Sequence, residues 1–114
     1  MRFWPTTTVA ALFLMFAAPS THATQITKIE DIQRGATVTL SGEVTRILDE
    51  DEFRLADDTA SVRVYIGWRN RVAVDVGETV TVTGFVDDDL VNVFRPEVYA
   101  RTIVRQDGST IELD

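Results

Sequence analysis

The stretch GATVTLSGEV at residues 35–44 returns as GETVTVTGFV at residues 77–86, with a constant offset of 42. Each copy carries two apolar residues in one phase, Val38 and Leu40 in the first and Val80 and Val82 in the second. A glycine follows in the same phase, Gly42 or Gly84, and then a valine. Period-two alternation of this kind is the signature of a half-buried strand. A glycine inside a strand weakens a flat sheet but permits the sharp bend or bulge that a small barrel needs to close. The segments between and after the copies do not match each other, so the echo is read as one structural demand placed on two strands, both of them bent.

The intervening sequence fits the same architecture. EFRLA (52–56) and SVRVYI (61–66) alternate around the turn DDTA and predict a hairpin with Phe53, Leu55, Val62, Val64 and Ile66 facing inward. After the second copy, DDD (87–89) makes a turn, Pro96 interrupts, EVYARTIV (97–104) supplies a fifth strand, and Asp107-Gly108 turns the chain into the tail TIEL. Upstream, Thr27 and Glu30 stand at capping-box spacing and Ile29 and Ile32 share a helical face. Gly35 serves as a stop, which predicts one short helix. The expected fold is all-β, a five-stranded antiparallel Greek-key barrel of the OB type with a short N-terminal helix.

The first 23 residues read differently. Arg2 is followed by the apolar run VAALFLMFAA (9–18) and then by PSTHA, with small residues at 21 and 23, as in a secretory signal peptide cleaved after Ala23. The run is about half the ~20 residues that a membrane-spanning helix needs, so no membrane span is expected after cleavage. The expected organisation is therefore a signal peptide at 1–23 and an OB-fold domain at 24–114, located in the periplasm or secreted. The chain has no cysteine, and its one histidine, His22, and both methionines fall in the leader. A domain of this size buries only about 60 to 65% of its unfolded surface, and with no disulfide to help, a closed and well-packed core must stabilise it.

Composition narrows the chemistry. Without Cys or His in the domain there is no thiolate nucleophile, no imidazole base, no Ser-His-Asp triad and no conventional zinc site. Paired carboxylates could run glycosidase-like chemistry, but every acidic cluster falls on a predicted turn, where water keeps both groups ionised. The expectation is a protein that is not an enzyme and needs no cofactor. The formal net charge is −7 over the whole chain, one unit more negative once Arg2 is removed, and Lys28 is the single lysine. A chain of this charge is a poor partner for a phosphate backbone, so nucleic acid is not expected as a ligand.

The leader, the short helix, VTLSGEV, a hairpin ending VRVYI, a tryptophan soon after it, GETVTVTGFVD and the closing RPEVYARTI together resemble the bacterial OB-fold (BOF) family, over nearly the whole domain. These are small periplasmic proteins of the YgiW and YdeI kind. The resemblance implies a role in envelope stress tolerance and a partner that is a small ligand or another periplasmic protein, with a monomer as the working assumption.

Two charged surfaces are candidates for that ligand. Alternation turns Arg54, Arg63 and Tyr65 outward and sets Arg54 opposite Arg63, a like-charge pair that is destabilising unless neutralised. Glu52, diagonal to Arg63 and opposite Tyr65, could serve as an internal counter-ion. Alternatively Arg54, Arg63, Tyr65, Trp68 and Arg69 form an outer platform on the second and third strands, where guanidinium forks and aromatic rings would take a carboxylate, phosphate or sulfate. The plainer reading has Trp68 plugging the barrel end, with Arg69 and Arg71 edging a loop.

The second surface is acidic. LDEDEF (48–53) and DDD (87–89) flank the ligand face of an OB barrel, and Asp49, Asp51, Asp87 and Asp89 could attract a divalent cation or a cationic partner. The spacing is not that of an EF-hand loop. Counting Asp49 as position one puts Phe53 at position five, and the glycine is missing. Solvated turns that aid solubility explain the same residues.

Overall fold

In the computed structural model the described residues are 25–88 and 95–114. The leader assigned to residues 1–23 lies outside them. No helix among the described residues is long and apolar enough to cross a membrane.

Six strands follow in chain order: β1 (Thr37–Asp49), β2 (Glu52–Ala56), β3 (Ser61–Tyr65), β4 (Thr79–Val86), β5 (Glu97–Val104) and β6 (Thr110–Glu112). They lie in the order β3-β2-β1-β4-β5-β6, and a further pairing of β3 with β5 closes β1 to β5 into a ring. β6 adds to the outside of the ring beside the second half of β5. Four of the five ring contacts are antiparallel, as the alternation implies. The closing one is parallel and short, with Arg63, Val64 and Tyr65 beside Glu97, Val98 and Tyr99.

Ring closure depends on strands that change partner along their length. The first half of β1 pairs with β4 (Thr37 to Glu43 against Phe85 to Thr79) and its second half with β2 (Glu43 to Asp49 against Ala56 to Glu52), so the changeover falls at Gly42 and Glu43. A Cβ on Gly42 would overlap the Ala56 carbonyl at the end of β2, and one on Gly84 would overlap the Tyr99 carbonyl of β5. Gly84 stands at a register shift in the β4 to β5 pairing. The two echoed glycines therefore serve close approach of backbones at the bends, as the sequence implies. The interior is filled from both sides of the ring. Phe53, Leu55, Val62 and Val64 from the β2 to β3 hairpin meet Leu40, Val44, Val80, Val82, Val86 and Val98, all essentially without solvent contact.

The N-terminal helix is shorter than the capping pattern suggests, a single 3-10 turn over Ile29–Asp31. Lys28 precedes it and makes no side-chain cap, so the Thr27 and Glu30 box does not form. The cap comes from the β2 to β3 turn instead. Ile29 N donates to Asp57 Oδ2 at 2.8 Å, and Glu30 N donates to Thr59 Oγ1 at 3.1 Å. Asp57 Oδ1 also accepts from the backbone N–H groups of Thr59 and Ala60. Burial of Ile29 in the core holds the turn against the barrel, and one helical turn is too short to stand alone. Partial burial pushes the Asp57 carboxyl up, but its hydrogen bonds from the Thr59 hydroxyl and from the N–H groups of Ile29, Thr59 and Ala60 outweigh this and bring it to about 2.

Candidate functional site

The barrel presents its most unusual charge arrangement on the outer face of β1, β2 and β3. Arg54 is the direct cross-strand partner of Arg63, as alternation predicts, and Arg46 of β1 is the partner of Arg54 on its other side. Direct cross-strand partners share a face, so three arginines from three neighbouring strands stand in one row. Arg46 escapes sequence reasoning for a physical reason. A register shift between Val44 and Arg46 inserts an extra residue, so Arg46 is exposed although simple alternation from buried Val44 would put it inside.

Beside this row lies a hollow of about 730 Å³, lined by Arg54, Arg63, Arg95, Ser61, Glu52 and Asp49 among others. Arg95 arrives from the segment leading into β5. Nothing in the sequence ties it to β3, because the parallel β3 to β5 pairing is made by chain segments far apart. Within the hollow, Arg63 Nη1 is 3.4 Å from Glu52 Oε1, and Arg54 Nη1 donates to Ser61 Oγ at 3.3 Å. The Nε of Arg63 is buried and meets no hydrogen-bond acceptor among the described residues. Arg54 and Arg95 form no ion pair among the described residues.

The remaining platform candidates separate from the hollow. Tyr65 packs edge-to-face on Tyr99, its partner across the parallel pairing, with ring centroids 5.6 Å apart and planes at 81°. Trp68 and Arg69 sit past the end of β3 and do not line the hollow. Trp68 is 75% exposed, with the Arg69 guanidinium 4.9 Å from its ring centroid. Trp68 thus plugs nothing. Their loop is braced from below: Asn70 Nδ2 donates to the Ile66 carbonyl at 2.7 Å, and Arg71 Nη1 is 2.7 Å from Glu50 Oε2.

The acidic candidates are also distributed. Asp49 lines the hollow and its Oδ1 accepts from Glu50 N at 2.7 Å. Asp51 contributes its carbonyl to Ile66 N. Asp87 is buried, and its N–H donates to the Glu97 carbonyl at 2.9 Å. Asp89 lies outside the described residues. Among the described residues, no three His, Cys, Asp or Glu side chains come together as a metal-binding group.

Glu97, which sequence reasoning passed over, is where the two surfaces meet. It is the partner of Arg63 in the parallel closure, and burial pushes its carboxyl upward. Glu52 pushes it further, Arg63 pulls it down, and Asp87 and Asp51 push it up again, leaving it above the usual carboxylate range. Asp51 and Asp87, from the two turns expected to flank the ligand face, thus act on one carboxyl group.

The family model for bacterial OB fold (BOF) proteins matches residues 5–98. The chain belongs to the bacterial OB-fold family. Among solved structures, a hypothetical protein, ygiW, from E. coli is similar with a TM-score of 0.58 and 23% sequence identity, covering 71% of this chain and 89% of that one. At that identity the likeness speaks for the fold. No curated protein gives a significant match. For a BOF protein the arginine row is a feature of side chains laid over the shared barrel, so its chemistry must be read from this chain's own residues.

Proposed function

We propose that this BOF protein is an exported, periplasmic, non-enzymatic binding module whose β1 to β3 outer face holds a small anionic ligand. Its place in envelope stress tolerance follows from the family resemblance. The observation that carries the reading is the in-register row Arg46, Arg54 and Arg63 with Arg95 across the hollow. Like charges in direct cross-strand register destabilise a sheet, and among the described residues of the hollow only Glu52 is in ion-pair contact with any of them. A protein that keeps such a row while its overall charge is strongly negative concentrates its cations where a ligand can use them.

Guanidinium groups offer planar, paired N–H donors that match the oxygens of carboxylate, sulfate and phosphate. A hollow of this size suits a small molecule, and the net charge of −7 disfavours a nucleic-acid chain. Non-enzymatic action is supported by the chemistry of the domain, since neither Cys nor His is present from residue 24 onward.

The test is calorimetric titration of wild type and the Arg54→Ala/Arg63→Ala double variant with inorganic sulfate and with glucose 6-phosphate. The expected outcome is a loss of about tenfold or more in affinity in a variant that still melts cooperatively. Equal affinities for wild type and variant would overturn the reading.

A further inference from the structure

The parallel closure of the barrel places a carboxylate against the arginine row. Glu97 enters β5 directly beside Arg63 of β3, while Glu52 of β2 reaches the other side of the same guanidinium at 3.4 Å. Among the described residues, four charged groups act on Glu97: Asp51 from the β1 to β2 turn, Glu52 from β2, Arg63 from β3 and Asp87 just past β4. Arg95, two residues before Glu97, lines the hollow on the same side. Arg63 is thus held between carboxylates without being well bonded by them. Among the described residues its one ion-pair contact is long and its Nε has no acceptor.

We infer that Glu97, together with Glu52, acts as an internal counter-ion that competes for Arg63, so that the hollow takes a sulfate- or phosphate-like oxyanion more tightly as the medium acidifies. The inference rests on the anion-binding reading above and adds its regulation. An arginine keeps its charge at any accessible pH, whereas a carboxylate crowded by three others and partly buried gives up its charge readily. When Glu97 takes a proton, the local balance moves toward the guanidinium groups, and Arg63 gains the freedom to pair with an external oxyanion. The coupling is reciprocal. An oxyanion seated on Arg63 adds negative charge beside Glu97 and favours its protonation, so binding draws a proton from solution. This follows from charge placement alone and needs no movement of the barrel.

Sodium sulfate is a suitable probe because it keeps its double charge from about pH 7.5 to about pH 5. Calorimetric titration of the protein across that interval should show affinity rising by about five- to tenfold, the scale expected of one linked proton. In Glu97→Gln the affinity at the higher pH should exceed that of wild type at the same pH, and the pH dependence should nearly vanish. A Glu97→Gln variant with the wild-type pH dependence would overturn the gate, and if Arg54→Ala/Arg63→Ala still abolished binding, the anion site itself would stand. Sulfate binding that ignores Arg54→Ala/Arg63→Ala would remove the site and the gate together.

A second readout does not depend on the variant's folding or on any ligand: carbon-detected NMR titration of the Glu97 carboxyl in wild type. Titration above the other glutamates supports the gate. Titration at or below them overturns it, even if sulfate binds nowhere.

Discussion

Arg63 and Arg105 are equally sheltered, with side chains 30% and 28% exposed, yet the barrel treats them in opposite ways. Arg105 meets Glu78 as a fork on a fork, Nε to Oε1 at 2.8 Å and Nη2 to Oε2 at 3.1 Å, and Asp75 adds a third contact at 3.6 Å. Glu78 is itself bound by the backbone N–H groups of Asp75 and Gln106. That cluster ties the turn before β4 to the turn after β5 and has little left to offer a ligand. Arg63, by contrast, has one contact of 3.4 Å and a buried Nε with no acceptor among the described residues, in a row with two other arginines. Burial does not tell the two arginines apart. Saturation of their donors does.

Deleting each arginine in turn separates the two roles. Arg63→Ala should weaken sulfate binding by about tenfold or more, the scale of a lost charged hydrogen bond, while lowering the melting temperature less than Arg105→Ala does. Paired calorimetry and thermal melts would check it. Arg105→Ala should do the reverse, lowering the melting temperature and leaving sulfate affinity at the wild-type value.

Acid sharpens the contrast from the carboxylate side. The hydrogen bond from Arg105 and the Asp75 N–H hold the Glu78 carboxyl down to about 2, against an ordinary value of 4.5. A lowered carboxylate contributes stability that is fully present above its unfolded value and is lost as the pH falls toward its folded one. Stability should therefore decline between 4.5 and 2, and Glu78→Gln should flatten that decline in acid melting curves. Glu97 is shifted the other way, so its sign reverses. Above its folded value the charged group weakens the native state, and the penalty fades as the pH falls into the ordinary glutamate range. Glu97→Gln should then raise the melting temperature slightly near neutral pH, with a gain that shrinks toward pH 4.5. The smallest effect is expected of Arg69→Ala, which removes an exposed stacking contact on Trp68 and should change neither melting nor sulfate affinity measurably.

Much of this molecule is legible in its sequence, because period-two hydrophobicity is a local property. Val38, Leu40, Phe53, Leu55, Val62, Val64, Val80 and Val82 all face inward as the alternation requires, and Gly42 and Gly84 mark the bends. Arg54 opposite Arg63, with Glu52 opposite Tyr65, follows from counting across one short hairpin. What escaped depends on long-range register. Arg46 joins the row through a bulge that alternation cannot see, while Arg95 and Glu97 reach Arg63 through a parallel pairing that no turn announces. The cap of the first helical turn departs from the local pattern for a related reason. Thr27 and Glu30 have the local spacing, but Asp57 and Thr59, nearly thirty residues away, provide the acceptors.

The measurement that bears most directly on the contrast between the two arginines is a proton–nitrogen NMR spectrum of the guanidinium Nε–H groups, recorded with and without sodium sulfate. The Arg63 Nε–H resonance should shift progressively and sharpen as sulfate is added, while that of Arg105, locked to Glu78, should stay where it is. Matching shifts for both residues, or a shift at Arg105 with none at Arg63, would contradict that contrast.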